Sequence, residues 1–422
     1  MKQFIFLSLL FFSTSLAVAQ LNIEDCYSKA RANYPLIKQY GLIEKSEKYN
    51  LSNANKGYLP QIILSAKASY QSDVTELPID FSQLGIPGVN ISPLSKDQYG
   101  TSIDVNQLVW DGGMIRSKKE SIRAASETDR KKLEVDLYSI NERINQVFFG
   151  ILLLEAQIEQ SRLYREELQR NYDRFSSWMQ NGIANQADLD AVKVEQLKAS
   201  QNESLMNHTK NAYLDILSAL IGEKLDPSTM LKKPETAFSA QIPVRRPELD
   251  LFQAQIKGME AQNEELNASL MPRLGVFLTG GYGKPGLSML ENDFSTYYIA
   301  GVKLSWTISN FYSNQNNKQK IQNSIASIRT QQETFLFNTN LDISRKNNEI
   351  KQFQDQLKYD DEIIALRKSI KQASEIKMEN GTITATDLMR DINAEDSARQ
   401  SKILHEIEML LAIYNLKFTT NN

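Results

Sequence analysis

The stretch MQNGIANQADL at residues 179–189 is nearly repeated as MENGTITATDL at residues 378–388. In each stretch Asn-Gly follows a long segment without helix breakers, and an aspartate comes six residues after the glycine. Glycine supplies the backbone freedom that a sharp reversal between antiparallel helices requires. The aspartates, Asp188 and Asp387, fall near the first turn of the returning helix, where the helix dipole favours a carboxylate. The chain is therefore predicted to contain two helical hairpins with related tips.

The two tips belong to a repeat that extends over most of the chain. Pro35 and Pro247 are 212 positions apart, whereas the two tips are 199 positions apart. The offset shrinks in one place, a loop that is long in the first half (75–98) and short in the second half (284–295). A second appearance of the same motifs in the same order indicates an internal duplication.

Each half is predicted to contain a helix, a strand, a loop, a second strand, a very long helix, a turn and a further helix. The first repeat (20–222) is assigned helix 22–57, strands 61–74 and 99–110, and helical hairpin 113–221. The second repeat (245–422) is assigned helix 246–269, strands 273–283 and 296–308, and helical hairpin 312–415. Residues 223–244 form the linker between the repeats, at the expected equator of the molecule.

Residues 1–19 have the composition of a cleaved secretory signal peptide: Lys2, an apolar run, and small residues at Ala17 and Ala19. No later segment offers about 20 uninterrupted apolar residues for a membrane-spanning helix. The single cysteine, Cys26, lies too far from the expected cleavage site for a lipid anchor. A secreted chain without disulfides is expected to be held together by packing or oligomerisation.

The composition offers little for catalysis or for nucleic-acid binding. With 48 Lys and Arg against 51 Asp and Glu, the chain has no basic excess that would favour nucleic acid. His208 and His405 have no cysteine or second histidine at ligand spacing. GYGKPG at 281–286 has the glycine spacing of a dinucleotide motif, but Pro285 and a loop stand where a helix should begin. We predict no catalytic residues, no metal and no cofactor.

The predicted strands alternate between apolar and polar residues, as Ile62 and Leu64 do with Ser65 and Lys67. Such alternation over 10–14 residues, with aromatic residues near the strand ends, fits a membrane-spanning barrel with a wet lumen. Half-buried sheets of soluble proteins alternate in the same way. The candidate membrane-interface aromatics are Tyr99, Trp110, Tyr282, Tyr297 and Trp306.

The long helices carry a coiled-coil pattern. Leu133, Leu137, Ile140 and Ile144 follow alternating steps of four and three, and apolar residues recur every seven positions over 336–364. Four strands cannot close a barrel, and two hairpins cannot form a wide tube. The pattern therefore favours the assembly of several copies.

The ordered motifs resemble those of the TolC-like outer membrane efflux protein family. They are NYPLIKQ (33–39), YLPQI (58–62), LVWDGG (108–113) and NGIANQADLDA (181–191), each with a counterpart in the second half. The resemblance implies an α+β membrane protein in which three protomers each contribute four strands to one 12-stranded β-barrel, continuous with a long antiparallel α-helical coiled-coil barrel. It further implies an exit duct of a tripartite efflux or type I secretion system, in the outer membrane of a Gram-negative bacterium and extending into the periplasm.

The resemblance also implies where the duct closes and where it docks. Family members narrow the periplasmic opening with acidic residues on the second hairpin, and Asp387 falls on that position. Arg390 occupies the second acidic position, so Asp391 beside it is the further gate candidate. The tips are expected to meet a periplasmic adaptor that is joined to an inner-membrane pump. The candidate tip residues are Asn181, Gly182, Ile183, Asp188, Leu189, Asn380, Gly381, Thr382, Ile383 and Leu388.

The main alternative is a periplasmic coiled-coil adaptor or scaffold protein, which also contains long hairpins. Adaptors flank one hairpin with small β-domains, whereas this chain has two hairpins in a duplicated order. A drug, a metal ion and a secreted protein all remain candidate cargoes.

Overall fold

The computed structural model describes residues 20–75, 94–182, 184–235 and 243–422. The predicted signal peptide (1–19), the candidate tip residue Ile183 and part of the predicted linker lie outside the described residues. None of the described helices is long and apolar enough to cross a membrane.

Eight α-helices and four strands make up the described part of the chain. The elements of the first half are α1 (Ile23–Asn33), α2 (Gln39–Asn55), β1 (Gln61–Tyr70), β2 (Asp97–Trp110), α3 (Met114–Tyr138), α4 (Ile140–Gln180) and α5 (Gln186–Ile221). Those of the second half are α6 (Pro247–Ser269), β3 (Arg273–Lys284), β4 (Ser295–Ser305), α7 (Asn310–Glu379) and α8 (Ala385–Thr420). The chain forms two compact units, which we call the helical unit and the sheet unit. The helical unit comprises the described residues of Met1–Ile37, Glu134–Pro247 and Thr334–Asn422, and the sheet unit those of Lys38–Leu133 and Glu248–Glu333.

Several element boundaries differ from the sequence predictions. The predicted helix 22–57 is divided into α1 and α2, because the residue before a proline is driven out of the helical conformation. Tyr34, which precedes Pro35, accordingly adopts an extended conformation with φ −62° and ψ 131°.

The predicted helix within 113–180 is likewise divided, at Ser139, whose hydroxyl donates to the carbonyl of Asp136 at 2.7 Å. Such local bonds compete with regular helix hydrogen bonds. The first strand ends at Tyr70 rather than at 74, since a turn follows in which the Asp73 carboxylate accepts from the Val74 N–H. Helix α8 continues to Thr420 rather than 415, because its last turn is buried.

The four strands form one antiparallel sheet in the order β1-β2-β3-β4. Gln61 pairs with Asn106, Asn106 with Phe277, and Gly275 with Lys303, so these residues share one face. Successive side chains of a strand point to opposite faces, so the register assigns each residue to a face. The apolar face carries Ile62, Leu64, Ala66, Ala68, Ile103, Val105, Val276, Leu278, Ala300, Val302 and Leu304. The polar face carries Gln61, Ser65, Lys67, Ser69, Ser102, Asp104, Asn106, Arg273, Thr279, Lys303 and Ser305.

The helical unit is built around α4, which packs against α1, α5 and α8. Phe148 and Phe149 are fully buried, and the Phe149 ring lies 5.2 Å from that of Tyr414 on α8. Cys26 on α1 is buried as well, and this burial raises the pKa of its thiol to about 12. The thiol is therefore protonated at neutral pH and serves as a small apolar group in the core.

Candidate functional site: the hairpin tips and the exposed sheet

The first hairpin reverses between α4 and α5. Gly182 has φ +71°, a left-handed conformation that glycine adopts without strain. Asn185 caps α5: its side chain accepts from the Asp188 N–H at 3.1 Å, and the Asp188 carboxylate accepts from the Asn185 N–H at 3.0 Å. This reciprocal pair is a capping box, which satisfies two backbone donors at the helix start.

The second hairpin repeats this geometry between α7 and α8. Gly381 has φ +67°, and Thr384 caps α8 by accepting from the Asp387 N–H at 3.2 Å. The Asp387 carboxylate accepts from the Thr384 hydroxyl at 2.7 Å and from its N–H at 3.2 Å. The bond from the Thr384 hydroxyl, followed by that from its N–H, lowers the pKa of the Asp387 carboxyl, which is therefore charged at neutral pH.

The two gate candidates have different surroundings. The Asp387 side chain is 40% exposed, and its Oδ1 lies 3.7 Å from the Arg390 guanidinium. The Asp391 side chain is only 14% exposed, and its carboxylate accepts from the Ser374 hydroxyl of α7 at 2.6 Å. Asp391 thus connects the two arms of its own hairpin, whereas Asp387 remains accessible.

The candidate tip residues divide into an exposed set and a buried set. The exposed set lies at the reversals and consists of Asn181, Gly182, Asn380, Gly381 and Thr382. Asp188 and Ile383 are half-buried. Leu189 and Leu388 are instead buried in the cluster beneath the tips, which we call the tip cluster. It consists of Leu168, Phe175, Leu189, Val192, Ala199, Met378, Ala385, Leu388, Met389 and Ile392. Because its members come from both hairpins, the tip cluster couples one hairpin to the other.

The structure also contains a buried ionic cluster that sequence inspection missed. Lys371 on α7 lies 2.5 Å from Glu167 on α4 and 2.6 Å from Glu395 on α8, and Arg399 lies 2.6 Å from Glu395. Burial alone would raise the pKa of Glu395. Hydrogen bonds from Lys371 and Arg399 outweigh this effect of burial and hold the pKa below its ordinary value. Only the i,i+4 spacing of Glu395 and Arg399 was visible in the sequence, since Glu167 and Lys371 are 204 positions apart.

In the sheet unit, aromatic residues lie near both ends of the apolar face. Tyr99 and Tyr282 both stack on Phe294, with ring centroids 6.5 and 5.4 Å apart, at the end where the loops lie. At the end where the strands join the helices, Trp110 lies on the apolar face and Trp306 follows β4. The Trp306 indole N–H donates to the Leu270 carbonyl at 2.9 Å.

Tyr297 lies on the other face from these candidates. It pairs with Gly281 on the polar face, and its ring occupies the space where a side chain at 281 would fall. Its neighbour Tyr298 is exposed on the apolar face instead. An aromatic residue near a strand end does not define its face, because the face depends on the pairing register.

Within the part of the chain that the structure describes, no group of three or more His, Cys, Asp and Glu residues is arranged to hold a metal. The described residues present two accessible hairpin tips and a sheet with one largely apolar and one largely polar surface.

The chain is similar to known proteins in both sequence and structure. The model of the family described as outer membrane efflux protein matches residues 26–223 and 239–422. The alkaline protease secretion protein AprF of Pseudomonas aeruginosa is 24% identical over 224 residues. That alignment covers 50% of this chain and 46% of AprF, so the match spans about half the length of that relative.

Solved structures of outer-membrane channels share the fold. The outer-membrane channel OprN superposes with a TM-score of 0.67 at 14% identity, covering 94% of this chain and 89% of that chain. The outer membrane protein VceC from Vibrio cholerae has a TM-score of 0.64 at 12% identity, with 94% of each chain covered. The Campylobacter jejuni CmeC outer membrane channel has a TM-score of 0.63 at 13% identity, covering 94% of this chain and 85% of that chain.

Proposed function

Because the chain belongs to the outer membrane efflux protein family, we propose that it is an outer-membrane exit duct that passively conducts substrates from the periplasm to the exterior. The family is one of channel proteins, and membership places this protein in the outer membrane. The duct serves a tripartite efflux or type I secretion system and performs no catalysis itself. The observation that carries the proposal is the sheet: one face exposes large aliphatic side chains, and the other carries most of the polar side chains together with Ile63 and Ile299.

The dimensions of the apolar face support a membrane location. Tyr99 and Trp110 mark its two ends and are eleven residues apart on β2. At about 3.3 Å per residue the two lie about 36 Å apart along the strand. A strand tilted by about 40° projects this length onto about 28 Å of membrane thickness, close to the apolar band of roughly 25 Å on outer-membrane barrels.

The free edges of the sheet support a homotrimer. Among the described residues, β1 and β4 each pair on one side only, which leaves two strand edges in the sheet of one chain. Unpaired backbone groups are costly in lipid, so a sheet in a membrane has to close into a barrel. If β4 of each copy pairs with β1 of the next, three copies give 12 strands and no free edge.

Exposed apolar side chains on the helical unit point to the same assembly. On α7 they follow coiled-coil spacing at Tyr359, Ile363, Leu366 and Ile370. On α5 they include Val194, Leu197 and Leu205. Neither stripe is covered by other described residues of the chain. Contiguous exposed apolar surface marks interaction sites. We assign both stripes to contacts between neighbouring copies.

Substituting Leu278 tests the membrane assignment directly. Leu278 pairs with Val105 and Ala300 near the middle of the apolar face. Leu278→Arg should destabilise the inserted barrel by about 2–4 kcal/mol, the cost of an arginine on the lipid face near the midplane. We expect most of this variant to be lost from the outer-membrane fraction, as measured by fractionation and immunoblotting.

The matched control is Thr279→Arg, one residue along the same strand. Thr279 lies on the polar face, where its hydroxyl donates to Asp104 at 2.5 Å, so an arginine there meets water and a carboxylate. This variant should be recovered from the membrane like the wild type. Equal recovery of both variants would refute the assignment of the apolar face to lipid.

We place the gate at Asp387 and adaptor docking at the exposed tip residues. Three Asp387 carboxylates around a threefold axis would attract multivalent cations into the narrowed opening. Within one chain, the hydrogen bonds from Thr384 lower the pKa of the Asp387 carboxyl and favour its charged form. Asp391 is not assigned to the ring, because its carboxylate is bonded to Ser374 within one chain.

Asp387→Ala should weaken the block of conductance by hexaamminecobalt(III) in planar bilayers at least tenfold. Asp188→Ala is the matched control, because Asp188 has the same capping role in the first hairpin. Loss of the cap alone would therefore affect both variants alike. If the blocking concentration is unchanged in Asp387→Ala, or shifts equally in both, Asp387 is not the gate residue.

A further inference from the structure

The polar face of the sheet has an unbalanced charge. Its strands contribute three cations, Lys67, Arg273 and Lys303, against one carboxylate, Asp104. The strands contain two further charged residues, Asp97 and Lys284, which pair with Tyr70 and Tyr99 on the apolar face. The surface that would face the lumen is therefore basic.

Two of the three cations lie together. Arg273 pairs with Ser305 and Lys303 pairs with Gly275, so the two are diagonal neighbours on adjacent strands. Diagonal neighbours on one face are about 7–8 Å apart. Both lie at the end of the sheet where the strands join the helices, and they border a groove of about 510 Å³ that Gln61, Asn106 and Phe277 also line.

No carboxylate in the part of the chain that the structure describes neutralises these cations. Among the described residues, Lys67, Arg273 and Lys303 have no ion-pair partner. The Asp104 carboxylate accepts hydrogen bonds from Thr279 at 2.5 Å and Ser102 at 3.3 Å. Asp111, which follows β2, is buried and caps α3 by accepting from the Gly113 and Ile115 N–H groups.

We propose that Arg273 and Lys303 form a basic ring inside the barrel that favours anionic substrates. This inference rests on the trimeric barrel proposed above, which would carry six such cations at one level. Strands about 4.8 Å apart and tilted by about 40° give a 12-stranded barrel a radius of about 12 Å. The long side chains of Arg273 and Lys303 bring their charges within about one Debye length of the barrel axis. Their electric field therefore reaches the whole cross-section of the lumen.

The chemistry of the ring indicates a substrate class. Guanidinium and ammonium groups recognise carboxylates and phosphates, and the amides of Gln61 and Asn106 beside them can donate to the same oxygens. Small organic anions and acidic segments of an unfolded polypeptide share this chemistry. A cationic compound or a free metal cation would be repelled at this level.

The test is the reversal potential of single channels in planar bilayers under a potassium chloride gradient. To remove the opposing charge proposed at the tips, the measurements use the Asp387→Ala background. In this background we expect the permeability to chloride to exceed the permeability to potassium at least twofold. Adding Arg273→Glu and Lys303→Glu should reverse that preference. Lys284→Glu, the same exchange as Lys303→Glu but on the apolar face, should leave it unaltered.

The outcomes separate this inference from the proposed function. Absence of any channel would contradict the duct itself. Channels that prefer potassium in the Asp387→Ala background, or that respond alike to the ring variants and to Lys284→Glu, would overturn the basic ring alone. If the glutamate variants do not insert, Arg273→Gln with Lys303→Gln should still move the permeability ratio towards potassium, and an unmoved ratio would equally overturn the proposal.

Discussion

Replacing Lys371 with methionine is expected to lower the free energy of unfolding by about 3 kcal/mol. Lys371 is 13% exposed and lies between Glu167 and Glu395, and the Glu395 side chain is 5% exposed. Removing one partner of a buried ion pair costs about 3–5 kcal/mol, because the other charge remains buried without compensation. We expect the lower end of this energy range for Lys371→Met, because Arg399 stays paired with Glu395.

The dependence on pH distinguishes this charge effect from lost packing. In the wild type the pKa of Glu395 is lowered, so its contribution is present above the unfolded-state pKa and is lost as the pH falls through the folded-state pKa. Without Lys371 the charged form of Glu395 is destabilised, and protonation of Glu395 relieves this. The loss of unfolding free energy in Lys371→Met should therefore be largest at neutral pH. It should shrink as the pH falls towards about 4.3, the ordinary pKa of a glutamate.

Thermal unfolding followed by circular dichroism in detergent measures this effect. Lys358→Met is the matched control, because Lys358 lies on the same helix, is 70% exposed and pairs with the exposed Asp355. Exposed pairs of this kind contribute little to stability. A loss in Lys371→Met no larger than in the control, or one that does not change with pH, would show that the buried ionic cluster does not stabilise the helical unit.

Replacing Phe175 with alanine is expected to destabilise the hairpin tips by about 3–5 kcal/mol, the usual cost of truncating a buried phenylalanine. Phe175 is fully buried in the tip cluster, and the Trp178 ring meets it edge to face at 5.1 Å. The cluster also includes Leu388 and Ile392 of α8, so the cavity would loosen the contact between the two hairpins. We therefore expect lower stability together with a higher conductance in the resting state.

Phe175→Leu provides a graded control, since it retains most of the side-chain volume and should cost less than about 1.5 kcal/mol. Hydrogen exchange of the amides in 378–392 should be faster in Phe175→Ala than in Phe175→Leu. Equal exchange in the two variants, with unchanged resting conductance, would mean that the tip cluster does not hold the hairpins together.

The features that sequence predicted well are local ones. Each hairpin tip combines a glycine of positive φ with a capping residue three positions before an aspartate, all within a few consecutive residues. The sequence could therefore place these residues at the tips: Gly182 and Asp188 in the first hairpin, Gly381 and Asp387 in the second. Family membership, which the match over most of the chain establishes, confirms the TolC-like resemblance that these motifs indicated.

The features that sequence did not reveal depend on pairing between distant segments. The face of Tyr297 depends on its register with Gly281, and the partner of Asp391 depends on how α7 lies against α8. The ion pair between Glu167 and Lys371 joins different hairpins across 204 positions. Neither propensity nor periodicity contains this information, because each describes one element at a time.

Native mass spectrometry of the protein, purified in detergent, tests the central claim most directly. The claim is that the four-stranded sheet of one chain closes only with those of two further copies. We expect a single species with three times the mass of one chain. A monomer that stays in solution without detergent would contradict the barrel, the basic ring and the duct together.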